Sequence, residues 1–190
     1  MPASPFAKPR AATRRAALAA LFGALCLAAP ASAEDAEVID IKVRKALEQL
    51  FATVPGSQDL YAKAKGALVM PDIIKGGFVV GGAYGEGALL VADATAGYYS
   101  FGAASFGFQA GVQSTKQALF FMTDAALDGF RDAKGWSIGA DAEVTFPGDG
   151  VNLGLDSTTA RSPIVAFIFG EDGLMAGASI EGGKYTRVER

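Results

Sequence analysis

KGGFVVGGAYGEGALLV, residues 75–91, sets one carboxylate, Glu86, inside an apolar run with five glycines between positions 77 and 87. At the strand period of two, Phe78, Val80, Gly82, Tyr84, Glu86, Ala88 and Leu90 share one face. Val79, Gly81, Ala83, Gly85, Gly87, Leu89 and Val91 share the other, which is nearly bare. Each glycine costs a helix interior about 1 kcal/mol relative to alanine, so the stretch is predicted to be a bent, bulged or closely overlain strand. The domain is therefore read as a sheet built around it.

Upstream, residues 1–33 combine Lys8, Arg10, Arg14 and Arg15 with an apolar core, Ala16–Ala29, too short to span a bilayer. Ala31-Ser32-Ala33 then forms a small-residue cleavage site. This pattern is an export signal, with Sec and twin-arginine routes both open at Arg14-Arg15. The expected destination is the periplasm or the cell envelope, with residues 34–190 as one domain.

The chain has no histidine, and its one cysteine, Cys26, leaves with the signal. Disulfides, thiolate nucleophiles, imidazole bases and the usual zinc ligands are thereby excluded from the exported domain. All four basic residues of the leader are lost and no acidic ones, so the formal charge moves from −3 for the whole chain to −7 from Glu34 onward. Such an acidic domain is unsuited to nucleic acid, whose binding depends on phosphate neutralisation. Ser105 has Ala103 where a nucleophile elbow needs glycine, and no base. Asp141, Glu143, Asp149, Asn152 and Asp156 do not follow the calcium-loop spacing. No catalytic residue, metal site or cofactor is expected; Glu86 and Glu181 are read as structural or ligand-contacting.

From Glu34 to Thr53 the pattern is that of an amphipathic helix with Ile39, Val43, Ala46, Leu47, Leu50 and Phe51 on one arc and Ile41 off it. Ser57 is expected to cap a second helix. Gly66–Met70 reads as a short strand ended by Pro71-Asp72 and a helical turn. Tyr98–Ser114 reads as one glycine- and aromatic-rich strand after a turn at Asp93–Gly97, and Gln117–Met122 as a buried strand. Thr123 is expected to cap a helix with Ala126, Leu127 and Phe130 inward. Trp136–Phe146 alternates as a strand with one wet face, and Pro163–Phe169 reads as fully buried. The frame G-A-x-x-E-G occurs at Gly82–Gly87 and again at Gly177–Gly182. The fold class is α+β: a glycine-rich, strongly twisted, mainly antiparallel sheet, sandwich- or barrel-like, with an N-terminal amphipathic helix and one or two further short helices.

Several motifs in one order, above all K-G-G-F-x-x-G-x-x-Y-G-E-G (Lys75–Gly87) and G-x-Q-x-G-x-Q-S (Gly107–Ser114), make residues 37–188 resemble the SYLF lipid-binding domain family. The residues carrying the resemblance include Gly76, Gly77, Gly82, Tyr84, Gly85, Glu86, Gly87, Gln109, Gln113, Ser114, Glu181 and Gly182. The family comprises membrane- and phosphoinositide-binding domains in animals and fungi, actin-binding ones in fungi, and exported bacterial proteins. The resemblance implies a noncatalytic domain that binds phospholipid or a membrane surface through its N-terminal helix and basic positions. The candidate contacts are Ile41, Lys42, Arg44, Lys45, Lys63, Lys65 and Lys75, with solvated charge as the other reading of each cation. A scaffold that recruits an envelope protein partner, and a small outer-membrane β-barrel, are the alternative functions.

Overall fold

Ile39, Val43, Ala46, Leu47 and Leu50 are all buried along one side of α1 (Ala36–Thr53), as their spacing requires. The structure is a computed structural model that describes residues 35–77, 80–106, 111–142, 144–147, 162–170, 173–174 and 183–190. The leader, Gln109, Glu181, Gly182 and the second G-A-x-x-E-G frame lie outside the described residues. After α1 come α2 (Ser57–Lys63), β1 (Gly66–Gly77), β2 (Val80–Val91), β3 (Ala94–Phe106) and β4 (Gly111–Phe121). Then follow α3 (Asp124–Asp132), β5 (Trp136–Ser137), β6 (Ile164–Gly170), β7 (Gly173–Leu174) and β8 (Lys184–Val188). The strands form one antiparallel sheet in the order β5-β8-β3-β2-β1-β4-β6-β7. The α+β class and the curled, mainly antiparallel sheet are as expected.

Residues 75–91 are not one strand. Gly77 pairs with Gly81, so the run holds the end of β1 and the whole of β2, with its glycines on both arms of the hairpin. Likewise Pro71-Asp72 opens no helix. Strand β1 continues through them as a bulge, its register slipping between Val69 and Asp72 against β2 and between Met70 and Ile73 against β4. A bulge is where a paired strand tolerates a proline, because the extra residue donates nothing to the ladder. Gly85 and Gly87 of β2 accept this bulge at close range. A Cβ on Gly85 would lie 2.5 Å from the Asp72 carbonyl oxygen and 2.8 Å from Ile73 Cγ1. One on Gly87 would lie 2.7 Å from Met70 Sδ and closer still to the Val69 carbonyl oxygen.

Two cores follow, one on each side of the sheet. On the first, α1 and α2 cover Ala67, Val69, Ala88, Leu90, Ala118, Phe120, Val165, Phe167 and Phe169. On the second, Leu68, Met70, Ile73, Leu89, Tyr99, Phe101, Phe121, Ile168 and Tyr185 enclose Leu127 and Phe130 of α3 together with Trp136. This second face is concave. Tyr185 on β8 donates its hydroxyl to Gln117 Oε1 on β4 at 2.8 Å, although three strands stand between them. In a flat sheet four strand spacings are about 19 Å, which no tyrosine–glutamine pair spans. The sheet is therefore curled around α3 and the Phe121–Phe130–Trp136–Tyr185 ring cluster, whose neighbouring centroids lie 4.9 to 6.5 Å apart.

Other boundaries move for local reasons. Ser57 is not a cap: it lies buried inside α2 and gives its hydroxyl to Val54 O at 2.6 Å, clamping the end of α1. Tyr98–Ser114 is divided between β3 and β4. The β2–β3 turn is the pair Ala92-Asp93, both at positive φ (49° and 61°), rather than residues 93–97. The alternation from Trp136 to Phe146 stops as a strand at Ser137. Asp141 Oδ2 accepts from Ser137 N–H at 2.7 Å and Gly139 takes φ +85°, closing a turn. Thr123 does cap α3, accepting from Ala126 N–H at 3.2 Å, and β6 is buried throughout Ile164–Phe169.

Gly87→Ala is expected to destabilise the fold by about 3 kcal/mol or more, since two backbones must part. Gly102→Ala, where a Cβ meets nothing within 4 Å, is expected to stay within about 0.5 kcal/mol; denaturant unfolding of both variants checks the contrast. In the same assay Ala92→Gly is expected to add about 0.5–1 kcal/mol by relieving a left-handed alanine.

Candidate functional site

The outer side of α1 carries the first candidate surface. Val38 and Ile41, one turn apart, are 42% and 49% exposed, and Arg44 and Lys45 are exposed on the next turn. The helix cannot roll to hide them, because its inner side is tied to the sheet at both ends. Asp40 accepts from Thr95 Oγ1 at 2.9 Å and from Tyr98 OH at 3.2 Å on β3. Gln49 Nε2 donates to Gly170 O on β6 at 2.6 Å. Val38 was missed at the sequence level, although it stands three residues before Ile41, the helical spacing that signals a shared stripe.

The cations do not form one patch. Lys42 is half-buried on the flank of α1. Arg44 lies close enough to Tyr61 to oppose the rise in that phenol's pKa, which burial and the Asp93 carboxylate cause; Tyr61 OH donates to Asp93 Oδ1 at 2.7 Å. Lys63 is exposed at the end of α2, and Lys65 stands 3.6 Å from Asp124 in an exposed pair of small energetic weight. Lys75 is remote. It pairs with Ala83 and Gln113 toward the hairpin tip, on the concave side of the sheet. From Ala67, beneath α1, to Lys75 the strand runs eight residues, roughly 26 Å.

The second candidate surface lies on the convex side further along the strands from α1, toward the hairpin tip, where β1 and β2 present consecutive cross-strand pairs. Asp72 stands opposite Glu86, Ile74 opposite Tyr84 and Gly76 opposite Gly82. Tyr84 OH donates to Glu86 Oε1 at 2.5 Å, and Arg190 Nη2 donates to the same oxygen at 2.5 Å. Ser114 on β4 donates its hydroxyl to Asp72 Oδ1. Ile74 and Tyr84 remain 54% and 47% exposed. The motif residues Tyr84, Glu86 and Ser114 thus come together from two strands, β2 and β4, whereas Gly85 and Gly87 serve the bulge on the other face and Gln113 is exposed beside Lys75. Arg190 carried no sequence signal, since its side chain reaches Glu86 only through the pairing of β8 with β3.

Ser105 is inside β3, paired with Gly81, not at a strand-to-helix elbow. Among the described residues no cluster of three or more Asp, Glu, His or Cys could hold a metal ion, and no helix is long and apolar enough to cross a membrane.

A family model described as Ysc84, Las17-binding protein actin regulator, matches residues 102–189, from the second half of β3 through β8. The match leaves α1 and the β1–β2 hairpin outside it. No curated protein matches the chain.

All five tyrosines have phenols held above their ordinary pKa, with burial as the first cause in each. For Tyr84 the bond to Glu86 adds to it, and its pKa is pushed up to about 12. A raised acid is protonated longer in the folded than in the unfolded chain, so its contribution is complete below pH 10 and is lost as pH climbs through the folded value. Absorbance titration is expected to show no tyrosine ionising near pH 10 in the native chain and all doing so in guanidinium. Stability measured by denaturant is expected to fall between pH 10 and 12, less so in Tyr84→Phe.

Proposed function

We propose, from the match of residues 102–189 to the Ysc84 (SYLF) family model, that the chain is a noncatalytic domain binding phospholipid at a membrane surface through the outer side of α1. The observation that carries this reading is the Val38–Ile41 pair, held exposed beside Arg44 and Lys45 on a helix pinned to the sheet. Seating two aliphatic side chains in the headgroup boundary supplies about 1.5–3 kcal/mol each at full burial, and each cation about 1 kcal/mol against an anionic leaflet. Glu37 and Glu48 on the same exposed side offset part of that. The result is a weak, reversible, salt-sensitive contact that favours anionic lipid.

The basic leader, its short apolar core and Ala31-Ser32-Ala33 support export and a place in the bacterial envelope. The barrel alternative has less support. Among the described residues the sheet ends on β5 and β7 without closing on itself, and α1 and α2 occupy the convex face that a membrane barrel turns toward lipid.

Co-sedimentation with vesicles that contain or lack anionic lipid tests the reading. Ile41→Asp is expected to lower the bound fraction at least fivefold, Arg44→Ala with Lys45→Ala to abolish the preference for anionic lipid, and Lys75→Ala to change nothing. No pelleting on any lipid would reject it.

A further inference from the structure

We infer that the convex face of the β1–β2 hairpin is a docking surface for a cationic, apolar-flanked segment of a protein partner, one that sets an arginine or lysine against Asp72 and Glu86. This surface is separate from α1 and does not depend on the lipid reading.

Charge complementarity carries the inference. Asp72 and Glu86 are direct cross-strand neighbours on one face, an arrangement of like charges that destabilises a sheet. The Arg190 guanidinium bonds to Glu86. Among the described residues, Asp72 has the Ser114 hydroxyl as its hydrogen-bond donor and no cation within ion-pair distance. An ionised carboxylate accepts at several lone-pair positions, so Asp72 retains capacity for a second cation. The contact of Arg190 with Glu86 demonstrates that a guanidinium fits over this face.

What surrounds the carboxylates suits a chain lying across them. Ile74 and Tyr84, the next pair along, are exposed apolar contacts for a residue beside the incoming cation. Past them the relief is low. A Cβ at Gly102 meets nothing within 4 Å, and one at Gly82 meets the Ala103 carbonyl oxygen at 3.5 Å. A side chain with a positive end and an apolar neighbour thus finds charge, greasy contact and bare backbone in sequence. Arg190 acts as a resident competitor for half of the site.

The test uses the full chain, isotope-labelled, titrated with acetyl-Arg-Leu-Arg-Leu-amide and, in parallel, acetyl-Glu-Leu-Glu-Leu-amide. The expected result is saturable amide shifts at residues 72–76, 82–86 and 114 with the cationic peptide and none with the acidic one. Asp72→Asn is expected to weaken binding at least fivefold, and Arg190→Ala, which uncovers Glu86, to tighten it by threefold or more, with the thermal midpoints of both variants recorded as controls for folding. Absence of shifts at millimolar peptide, shifts centred elsewhere, or unchanged affinity in both variants would overturn the inference. So would the same amides moving with protein concentration alone, or with vesicles alone, which assign the face to a second copy or to lipid.

Discussion

The close approach of β1 to β2 at the Val69–Ile73 bulge is the contact on which the rest of the structure depends. Two carbonyl groups and a methionine side chain press into the space that side chains at 85 and 87 would fill, so only glycine permits the pairing. Bulges bend and twist the strand that carries them. Here the bend lies near the middle of the sheet, in a strand paired on both sides, and it helps draw β8 and β4 toward one another around α3. The buried bond from Tyr185 to Gln117 closes that curl where its core is densest in aromatic rings.

The curl gives the two faces different work. The concave side is consumed by its own core: Phe101, Phe121, Phe130, Trp136 and Tyr185 fill it. The convex side is too wide for one helix to cover. Helix α1 crosses from β3 to β6, and the part of the sheet toward the hairpin tip keeps Ile74 and Tyr84 in solvent. The same geometry that leaves that patch bare also sets α1 with its outer stripe facing away from the protein.

Much of this was legible in residue order. The helical period around Ile39–Leu50, the cap at Thr123 and the uninterrupted apolar run of β6 report local patterns that tertiary contacts reinforce. Pro71 misled because a proline inside a doubly paired strand is tolerable only with a bulge, and the residues that accommodate the bulge, Gly85 and Gly87, lie on another strand. Trp136–Phe146 misled because alternation is satisfied equally by a strand and by a turn that buries Trp136 and Ile138 while Asp141 bonds back to Ser137. Of the candidate contacts, Ile41, Arg44 and Lys45 share a surface because one helix places them by its own pitch. Lys75 falls elsewhere, since strand direction, invisible in composition, carries it a sheet's length away.

Sequence by itself determined the absence of histidine and, past residue 26, of cysteine, the acidic balance, the amphipathic helix and the sheet class, because these follow from residue type and short-range period. Tertiary structure alone decided which strands neighbour one another, and therefore that Asp72 faces Glu86, that Arg190 reaches across from β8, and that Tyr185 meets Gln117. Those partners stand 14, 104 and 68 residues apart in the chain. Pairing over such distances is set by how a bulged, glycine-faced sheet closes on its core, a property of the whole packing that no local pattern encodes.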